Sequence, residues 1–298
     1  MNIIGHKKIF LTFSLILFVI SLVCIVMFGF KPAIDFTGGT LWQIKIGDPT
    51  VSDSALQNAF VSFGAKDPII YKDLTSDSFM VKLQNVSEAD HQSYLKSLEQ
   101  KFSQVQELKF ESIGPTIGSQ LKSRAIWAII LVLIGISLYI AFAFRKASYP
   151  VQSWKYGIAT LIALTHDVVI PSGVIAAMGH FAGVEMDTNF VVALLVIMGF
   201  SVHDTIVVFD RIRENLLTRK GSRGFDEIVN DSVVQTIARS INTSLTLILV
   251  LTAMLIFGAP TLKLFVLIML IGVIFGTYSS IFIASPILTI WHKFGKNK

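Results

Sequence analysis

Long apolar runs separated by short polar segments make up most of this chain. Each run is close to the roughly 20 residues that an α-helix needs to cross a hydrocarbon core of about 30 Å. The runs occupy residues 9–30, 124–144, 155–178, 188–209, 241–258 and 262–291. The pattern predicts an α-helical polytopic membrane protein with six transmembrane helices.

The first run begins as a signal sequence does, because His6, Lys7 and Lys8 precede it. It is nevertheless about 20 residues long, and no A-x-A-like cleavage site follows it. We therefore predict that residues 1–30 form an uncleaved first transmembrane helix with a cytoplasmic N-terminus.

Residues 31–123 are polar and long enough to form a small domain between the first and second spans. The apolar patterns predict strands at 39–46, 68–74, 78–84 and 105–113, and helices at 52–63 and 87–102. The resulting β-α-β-β-α-β order is that of a ferredoxin-like α+β domain, which we expect here.

Charge asymmetry gives the predicted orientation, because loops rich in Lys and Arg resist translocation. With the N-terminus inside, Lys263 is the only Lys or Arg residue in the short outer loops, whereas the loop 211–239 is rich in Lys and Arg. The predicted organisation is an extracytoplasmic (periplasmic) domain at 31–123, a five-helix membrane core at 124–291 and a cytoplasmic tail at 292–298.

The composition agrees with a membrane protein, because 53% of the residues are hydrophobic and only 15% are charged. The net charge of +5 is not gathered in a basic patch with interleaved aromatics, so we expect no nucleic-acid partner. The single cysteine, Cys24, lies in the first apolar run and offers no metal site. Without a Walker A, G-x-S-x-G or H-E-x-x-H motif, the chain is expected to be neither an enzyme nor a cofactor-binding protein.

A short glycine motif joins the first span to the outer domain. Asp35, Phe36 and Thr37 are followed by Gly38 and Gly39, where the first predicted strand begins. Two glycines permit tight or positive-φ backbone geometry, so we interpret the motif as a structural elbow. A phosphate cradle is disfavoured, because no helix opens after the glycines.

The third span carries His166 and Asp167 near its middle, followed by the helix breaker Pro171. Ionisable side chains at membrane depth usually face a bundle interior or an aqueous cavity, and they mark ion paths. We predict a functional role for Asp167, with a purely structural polar contact as the alternative.

The fourth span places Asp204 about two-thirds of the way across the bilayer, directly after His203. So short a side chain cannot easily reach the headgroups, which favours a functional carboxylate over an interfacial cap. In the fifth span, Arg239 opens a polar stripe at the depth where the fourth span ends. We predict an ion pair between Asp204 and Arg239, with an arginine that anchors a helix end at the headgroups as an equal alternative.

The sixth span contains Gly272, Gly276 and Ser280 at four-residue steps, which puts them on one helix face. Small residues in such a stripe let helix backbones approach closely. We interpret this face as a packing surface without site chemistry.

Four segments together resemble the SecF-type subunits of the bacterial SecD/SecF family. They are the elbow from Ile34 to Thr40, the segment from His166 to Gly173, and residues 201–215 and 276–281. The match covers nearly the whole chain, and residues 201–215 are its most specific part. The family is of the resistance-nodulation-division type, whose transport core has two six-helix halves, so this chain corresponds to one half.

The resemblance implies a multi-pass subunit of the bacterial inner membrane with both termini in the cytoplasm. Such a subunit forms a heterodimer with SecD, associates with the SecYEG channel and with YajC and YidC, and acts on a translocating unfolded polypeptide. It would use the proton motive force in a late, ATP-independent stage of translocation, with protons as the coupling ion.

The resemblance also assigns roles to residues. The family's aspartate and arginine implicated in proton passage fall on Asp204 and Arg239, and a further aspartate belongs to SecD. His203 stands where the family often has asparagine, so it either alters the proton path or fills space. The predicted proton pathway is Asp204, Arg239, His203, Asp167 and His166, and the predicted structural positions are Asp35, Gly38, Gly39, Gly272 and Gly276.

Two other functions stay open. One is half of a resistance-nodulation-division exporter of small molecules or lipids, which would need about a dozen spans and two large porter domains. The other is a non-conducting scaffold for SecD and the channel. Asp204 is the residue that distinguishes the scaffold hypothesis from the proton-coupling hypothesis, because only a proton-conducting subunit needs a titrating carboxylate at that depth.

Overall fold

The computed structural model describes residues 2–73, 77–145, 151–218 and 224–296. The chain divides into two compact units. The membrane-helix unit consists of Met1–Lys31 and Trp127–Lys298, and the smaller unit of Pro32–Ile126. Each unit buries apolar side chains in a core of its own.

The described residues contain both helices and strands, numbered here in chain order. The helices are α1 (Lys7–Phe28), α2 (Ile34–Thr37), α3 (Asp53–Ser62), α4 (Glu88–Lys101), α5 (Pro115–Ala143), α6 (Ser153–Ala182), α7 (Thr188–Thr218), α8 (Phe225–Phe257), α9 (Lys263–Ser279) and α10 (Ser285–Lys296). The strands are β1 (Gly39–Ile46), β2 (Ile69–Asp73), β3 (Ser78–Leu83) and β4 (Val105–Ile113).

Within the described residues, six helical segments are long and apolar enough to cross a membrane. They are Ile4–Phe28, Pro115–Ala143, Ser153–Ala182, Thr188–Thr218, Phe225–Phe257 and Pro260–His292. Each overlaps one of the apolar runs in the sequence. The prediction of a six-helix polytopic membrane protein is therefore confirmed.

The fourth and fifth spans extend past their apolar runs. The segment 211–239, predicted as a loop, is helical up to Thr218 and again from Phe225, while residues 219–223 lie outside the described part. The prediction of a loop is therefore wrong for most of this segment. Hydropathy marks where the apolar residues end, whereas a helix continues for as long as its backbone hydrogen bonds do.

Polar side chains hold these two helix extensions together. Asn215 on α7 donates to the Ser232 hydroxyl on α8 at 2.8 Å, and Arg211 donates to the Gln235 side-chain oxygen at 2.6 Å. Asn215 is itself buried. Hydrogen bonds therefore stabilise the α7–α8 pair beyond the ends of the apolar runs, together with buried apolar side chains such as Ile212 and Val233.

The sixth span changes its winding near its end. Ser280–Ala284 forms a π-helical turn between α9 and α10, and Pro286 follows in the first turn of α10. Because proline has no N–H to donate to the preceding turn, a regular α-helix cannot pass through this point with all its bonds. The Ser285 hydroxyl donates to the Ser280 carbonyl at 3.1 Å within this wider turn.

Small residues set the closest helix contacts of the membrane unit. A Cβ on Gly173 of α6 would lie 2.5 Å from the Cα of Ser21 on α1. A Cβ on Gly276 of α9 would lie 3.0 Å from the Cβ of Ser201 on α7. Glycine therefore permits the close approach of α6 to α1 and of α9 to α7.

The smaller unit contains one antiparallel sheet with the strand order β2-β3-β1-β4. Trp42 on β1 lies opposite Val81 on β3 and Phe110 on β4. Phe60 of α3 and Leu98 of α4 are buried in the same apolar cluster, so both helices cover one face of the sheet. The alternation in the sequence located all four strands, and the predicted end of the second, at residue 74, lies outside the described residues.

Serine caps define the starts of α3 and α4. The Ser52 side chain accepts from the N–H of Ala55, and the Ser87 side chain accepts from the N–H of Asp90, both at 3.2 Å. Such caps satisfy an N–H that has no partner inside the helix. The predicted helix at 87–102 began at this serine.

A buried histidine joins α4 to β4. Nε2 of His91 lies 2.6 Å from Oε2 of Glu107, and the ring stacks on Phe110 with centroids 3.6 Å apart. Nδ1 of the same ring lies 3.3 Å from Oε1 of Glu88. Hydrogen bonds from the Gln92 and His91 side chains lower the pKa of Glu88. The sequence analysis did not single out His91, because Glu107 and Phe110 lie on another element.

Candidate functional site

Two buried aspartates lie on neighbouring spans of the membrane unit. Asp167 on α6 is 0% exposed and Asp204 on α7 is 2% exposed. A carboxylate in an apolar interior is costly unless hydrogen bonds or a proton compensate its charge. The partners of each aspartate therefore indicate what it does.

Asp167 is closely surrounded by donors from three spans. Its Oδ2 accepts from the Ser201 hydroxyl of α7 at 2.5 Å and from the Ser279 hydroxyl of α9 at 2.6 Å. Its Oδ1 lies 2.9 Å from Nδ1 of His166. Bonds this short to a carboxylate are of the strong, charge-assisted kind. Asp167 therefore joins α6, α7 and α9.

The charge of Asp204 is compensated less than that of Asp167. Its Oδ2 lies 3.4 Å from the Ser244 hydroxyl of α8, near the upper limit for a hydrogen bond. The Thr277 hydroxyl is a second hydrogen-bond partner of Asp204, and His203 interacts electrostatically with the same carboxylate. The Ser244 hydroxyl also lies 2.8 Å from the Ser240 carbonyl, and the Thr277 hydroxyl lies 2.9 Å from the Val273 carbonyl, so each hydroxyl proton is shared. A buried carboxylate whose donors are shared in this way is a good acceptor for a proton.

The two aspartates are linked through α7. Ser201 and Asp204 are three residues apart and share a helix face, so the donor to Asp167 lies one turn from the second carboxylate. Thr205, the next residue, adds another buried hydroxyl, which donates to the Ser201 carbonyl at 3.2 Å. The Ser201 hydroxyl thus contacts one carboxylate and lies one helical turn from the other.

The two predicted histidines lie in different surroundings. His166 is 4% exposed, and its Nε2 has no hydrogen-bond partner among the described residues. His203 is exposed, because it lies one residue before Asp204 and so points about 100° away around α7. The structure therefore brings His166 to Asp167 and leaves His203 on the outer surface of the helix.

The predicted ion pair between Asp204 and Arg239 is not formed, and that prediction is wrong for this structure. The bonds Arg211–Gln235 and Asp204–Ser244 fix the antiparallel register of α7 and α8. In that register Arg239 is level with residues 207–209, about 4.5–7.5 Å along the axis from Asp204. It also lies on an exposed face, whereas its neighbour Ser240 is buried.

The exposed face of α8 carries a polar stripe along an otherwise apolar span. Its members recur at helical spacing and are all exposed: Arg239, Asn242, Thr243 and Thr246. Polar side chains rarely face acyl chains without a partner. This stripe indicates that another polar surface covers it.

The remaining predicted residues have structural surroundings. Gly38 and Gly39 have φ of +73° and +129°, which L side chains rarely adopt, and a Cβ on Gly38 would lie 2.7 Å from the Cα of Pro115. Asp35 lies in the short helix α2 that precedes them. Beside Gly272, the Ile197 side chain of α7 fills the space of a Cβ. These positions shape the backbone, and none of them belongs to the group of buried hydroxyls and carboxylates around Asp167 and Asp204.

Sequence reasoning missed the hydroxyl partners of the aspartates: Ser201, Ser244, Thr277 and Ser279. Serine and threonine are common in membrane helices, where they donate to the preceding turn. A signal was present for three of them, since Ser201, Thr277 and Ser279 lie in motifs that the sequence analysis quoted. Their distance from Asp167 along the chain hid the contact.

Comparisons with known proteins give a consistent picture. Residues 93–294 match the family model of protein export membrane protein SecD/SecF, C-terminal. The protein translocase subunit SecF of Thermobaculum terrenum is 43% identical, covering 97% of this chain and 93% of that protein. The subunit of the same name from Sebaldella termitidis is 34% identical, covering 99% of this chain and 93% of that protein.

A solved structure resembles the whole chain. The crystal structure of SecDF, a translocon-associated membrane protein from Thermus thermophilus, is 32% identical and has a TM-score of 0.81. The likeness covers 100% of this chain, which spans 39% of that SecDF chain.

Proposed function

Because the chain belongs to the SecD/SecF family of protein export membrane proteins, we propose that it couples proton movement to protein export in a complex with SecD. Its role as a subunit in Sec protein export follows from relatives that match it over nearly their full length. The use of the proton motive force and the identity of the partner are the parts that we propose.

The observation that supports proton coupling is the poorly compensated carboxylate of Asp204. It is 2% exposed in a membrane-spanning helix, and its hydrogen-bond partners are the Ser244 hydroxyl at 3.4 Å and the Thr277 hydroxyl, both of which are also bonded to backbone carbonyls. A neutral, protonated Asp204 suits this apolar position, and an ionised one requires a compensating charge nearby. Movement of a cation toward and away from Asp204 would therefore drive uptake and release of a proton.

His203 and Arg239 are the candidates for that cation. His203 directly precedes Asp204 and interacts with it electrostatically. Arg239 lies about one helical turn from the level of Asp204 on the neighbouring span and faces outward, so in this proposal a rotation of α8 about its axis brings it to the carboxylate. His166 and Asp167 extend the pathway through the hydroxyls of α7, and the exposed His203 lies at its edge.

SecD is the proposed partner that covers the polar stripe of α8. The SecDF structure that resembles this chain contains more than twice its length, so the likeness leaves room for a second half. Association with the SecYEG channel, YajC and YidC, and action on an unfolded polypeptide, belong to the same proposal. So does a location in the bacterial inner membrane with both termini in the cytoplasm.

We also propose that the smaller unit is an extracytoplasmic ferredoxin-like domain at about residues 31–123. Its β-α-β-β-α-β order and its strand order β2-β3-β1-β4 support this assignment. On the outer side, such a domain would meet the polypeptide as it leaves the channel, whereas the cation-rich segment 211–239 would stay inside.

The experiment that tests proton coupling is Asp204→Asn in membrane vesicles that contain this protein and SecD. Asparagine keeps the size and much of the hydrogen bonding but cannot titrate. Export that depends on an imposed proton gradient should fall to the level seen without a gradient. Asp210→Asn is the matched control, because Asp210 is on the same helix but is exposed and pairs with Arg213 at 2.9 Å.

The competing function is a scaffold that stabilises SecD and the channel without conducting protons. The tightly bonded Asp167, which joins three spans, favours a structural role for that residue. Normal gradient-dependent export by Asp204→Asn, at normal amounts of both subunits, would establish the scaffold and remove the proton role.

A further inference from the structure

Residues 2–7, called here the N-terminal strap, lie against the start of α8. The backbone N–H groups of Ile3 and Ile4 both donate to the Asn230 side-chain oxygen of α8, at 2.8 and 3.2 Å. Both isoleucines are buried. A single side chain of α8 therefore accepts hydrogen bonds from two backbone donors of the strap.

A second link lies one helical turn away. Nζ of Lys7 lies 3.2 Å from Oδ2 of Asp226 on α8, and it donates to the Thr289 hydroxyl of α10 at 2.7 Å. The Lys7 side chain is only 15% exposed, so water and salt screen this ion pair less than they screen a surface pair. The strap thus ties α1 to both α8 and α10.

The strap restrains the rotation of α8 about its axis on which the proposed function depends. Arg239 directly precedes the buried Ser240, so the two side chains point about 100° apart around the helix. A rotation of about 100° therefore puts Arg239 where Ser240 now points. The same rotation moves each residue of α8 to the direction of the residue that follows it.

At the buried carboxylate, this rotation exchanges one polar side chain for another. Thr243 takes the place of Ser244, whose hydroxyl lies 3.4 Å from the Asp204 carboxylate. Asp231 takes the place of Ser232, which accepts a hydrogen bond from α7. Both contacts between α7 and α8 therefore have a substitute in the rotated state.

One polar contact with α7 has no substitute. Val234 takes the place of Gln235, which accepts a hydrogen bond from Arg211. Arg211 also pairs with Glu214, and 36% of its side chain is exposed, so water can replace the lost acceptor. This contact therefore opposes the rotation only weakly.

At the strap, the rotation exchanges polar side chains for apolar ones. Val229 takes the place of Asn230, so the two backbone donors of the strap lose their acceptor. Phe225 takes the place of Asp226, so Lys7 loses its carboxylate. A buried donor without an acceptor is costly. The rotated state is therefore disfavoured at the strap and not at the buried carboxylate.

We propose that the N-terminal strap is an autoinhibitory latch, which holds α8 in the rotation at which Arg239 faces outward. The latch rests on the proposed function, in which Arg239 moves toward Asp204. Release of Asn230 and Asp226 from the strap lets α8 turn. The strap therefore sets how often the arginine meets the carboxylate.

Disulfide cross-linking reports the rotation, in the full chain with cysteine-free SecD in lipid nanodiscs. All variants carry Cys24→Ser, which removes the native thiol. The Ser244 and Thr277 hydroxyls are 2.5 Å apart, so Ser244→Cys and Thr277→Cys should cross-link without rotation. Thr243→Cys and Thr277→Cys should cross-link only when Thr243 has taken the place of Ser244. The rate of this second reaction measures the rotated population.

Release of the latch should increase that rate. Asn230→Ala removes the acceptor in both states, so the rotated state no longer loses it relative to the present one. The Thr243→Cys to Thr277→Cys rate should rise at least about fivefold, since one hydrogen bond is worth about that factor. Asn230→Asp keeps an acceptor oxygen and should leave the rate unchanged. Lys7→Met removes the second link and should also raise the rate, which gives a test where Asn230→Ala does not fold.

Two controls separate rotation from a general loosening of the helices. Asn242→Cys could reach Thr277→Cys only after a rotation of about 200°, so Asn230→Ala should leave that rate unchanged. Asn215→Ala removes a buried hydrogen bond of 2.8 Å between α7 and α8. Because that bond has a substitute in the rotated state, Asn215→Ala should not change the Thr243→Cys to Thr277→Cys rate.

Three results would overturn the proposal. They are an unchanged Thr243→Cys rate in Asn230→Ala, an equal rise of that rate in Asn230→Asp, and a rise of the Asn242→Cys rate by the same factor. Cross-linking needs neither a proton gradient nor export, whereas the proposed function is tested by gradient-dependent export in Asp204→Asn. Failure of the latch would leave proton coupling with His203 as the cation, so the two failures are distinguishable.

Discussion

Ser201 of α7 donates a hydrogen bond of 2.5 Å to the Asp167 carboxylate of α6, one helical turn from Asp204. Ser279 of α9 donates to the same oxygen at 2.6 Å. Asp167 is thus held by short bonds, whereas the donor to Asp204 is 3.4 Å away. The two aspartates therefore differ in how firmly they are held, Asp167 by short bonds that join three helices and Asp204 by a longer one.

Removal of a donor to Asp167 should destabilise the membrane unit. Ser201→Ala leaves Oδ2 with one hydroxyl donor fewer, and an undersatisfied buried carboxylate costs about 1–3 kcal/mol. The thermal unfolding midpoint in detergent should therefore fall. Ser119→Ala, at an exposed position of α5, is the control. Equal midpoints for the two variants would contradict the role of Asp167 as a junction.

The glycines of α6 and α7 should respond to alanine with opposite signs. A Cβ on Gly173 would lie 2.5 Å from the Ser21 backbone, so Gly173→Ala should force α1 away and cost about 1–3 kcal/mol. A Cβ on Gly199 meets nothing within 4 Å, so Gly199→Ala should be neutral or stabilise the helix by up to about 1 kcal/mol. Unfolding midpoints measured side by side test the pair. A Gly173→Ala protein as stable as the parent would contradict the close α1–α6 contact.

His91 should stabilise the smaller unit. His91→Ala removes the hydrogen bond to Glu107 and the stacked contact with Phe110, together worth about 2–3 kcal/mol. Amide hydrogen exchange of the full chain should speed up in α4 and β4. Lys96→Ala, on the exposed side of α4, should not change it. Unchanged exchange in His91→Ala would mean that the ring merely fills space.

The sequence predicted the spans, the strands and both buried aspartates, because each leaves a local trace. Apolar run length marks a span, period-two alternation marks a strand, and an acidic residue inside an apolar run is unusual. Contacts between helices leave no such trace. Asp167 meets Ser279 from 112 residues away, and the pattern of one helix does not say which neighbour it faces.

The predicted pairing of Arg239 failed for the same reason. Its position along the sequence predicted a depth near that of Asp204, and the two residues are indeed about one helical turn apart in level. The rotation of α8 about its axis decides whether the two side chains meet. Ser240 and Ser244 face the interior, so the stripe that begins at Arg239 faces outward.

The outward position of Arg239 leads to a prediction that separates a partner contact from a headgroup anchor. Arg239→Met keeps the apolar stem and removes the charge. Because the side chain is exposed, the free energy of unfolding of the chain alone should change by less than about 0.5 kcal/mol. With SecD, gradient-dependent export should be lost while both subunits stay at normal amounts.

Lys263→Met is the control for loss of one exposed charge near a span, and it should retain export. Arg239→Lys adds a second comparison. It keeps the positive charge but not the planar group that bonds a carboxylate through two N–H donors. We expect it to restore part of the export, because charge alone can compensate an ionised Asp204. If Arg239→Met exports as well as Lys263→Met, the arginine anchors the helix end at the headgroups and has no part in moving protons.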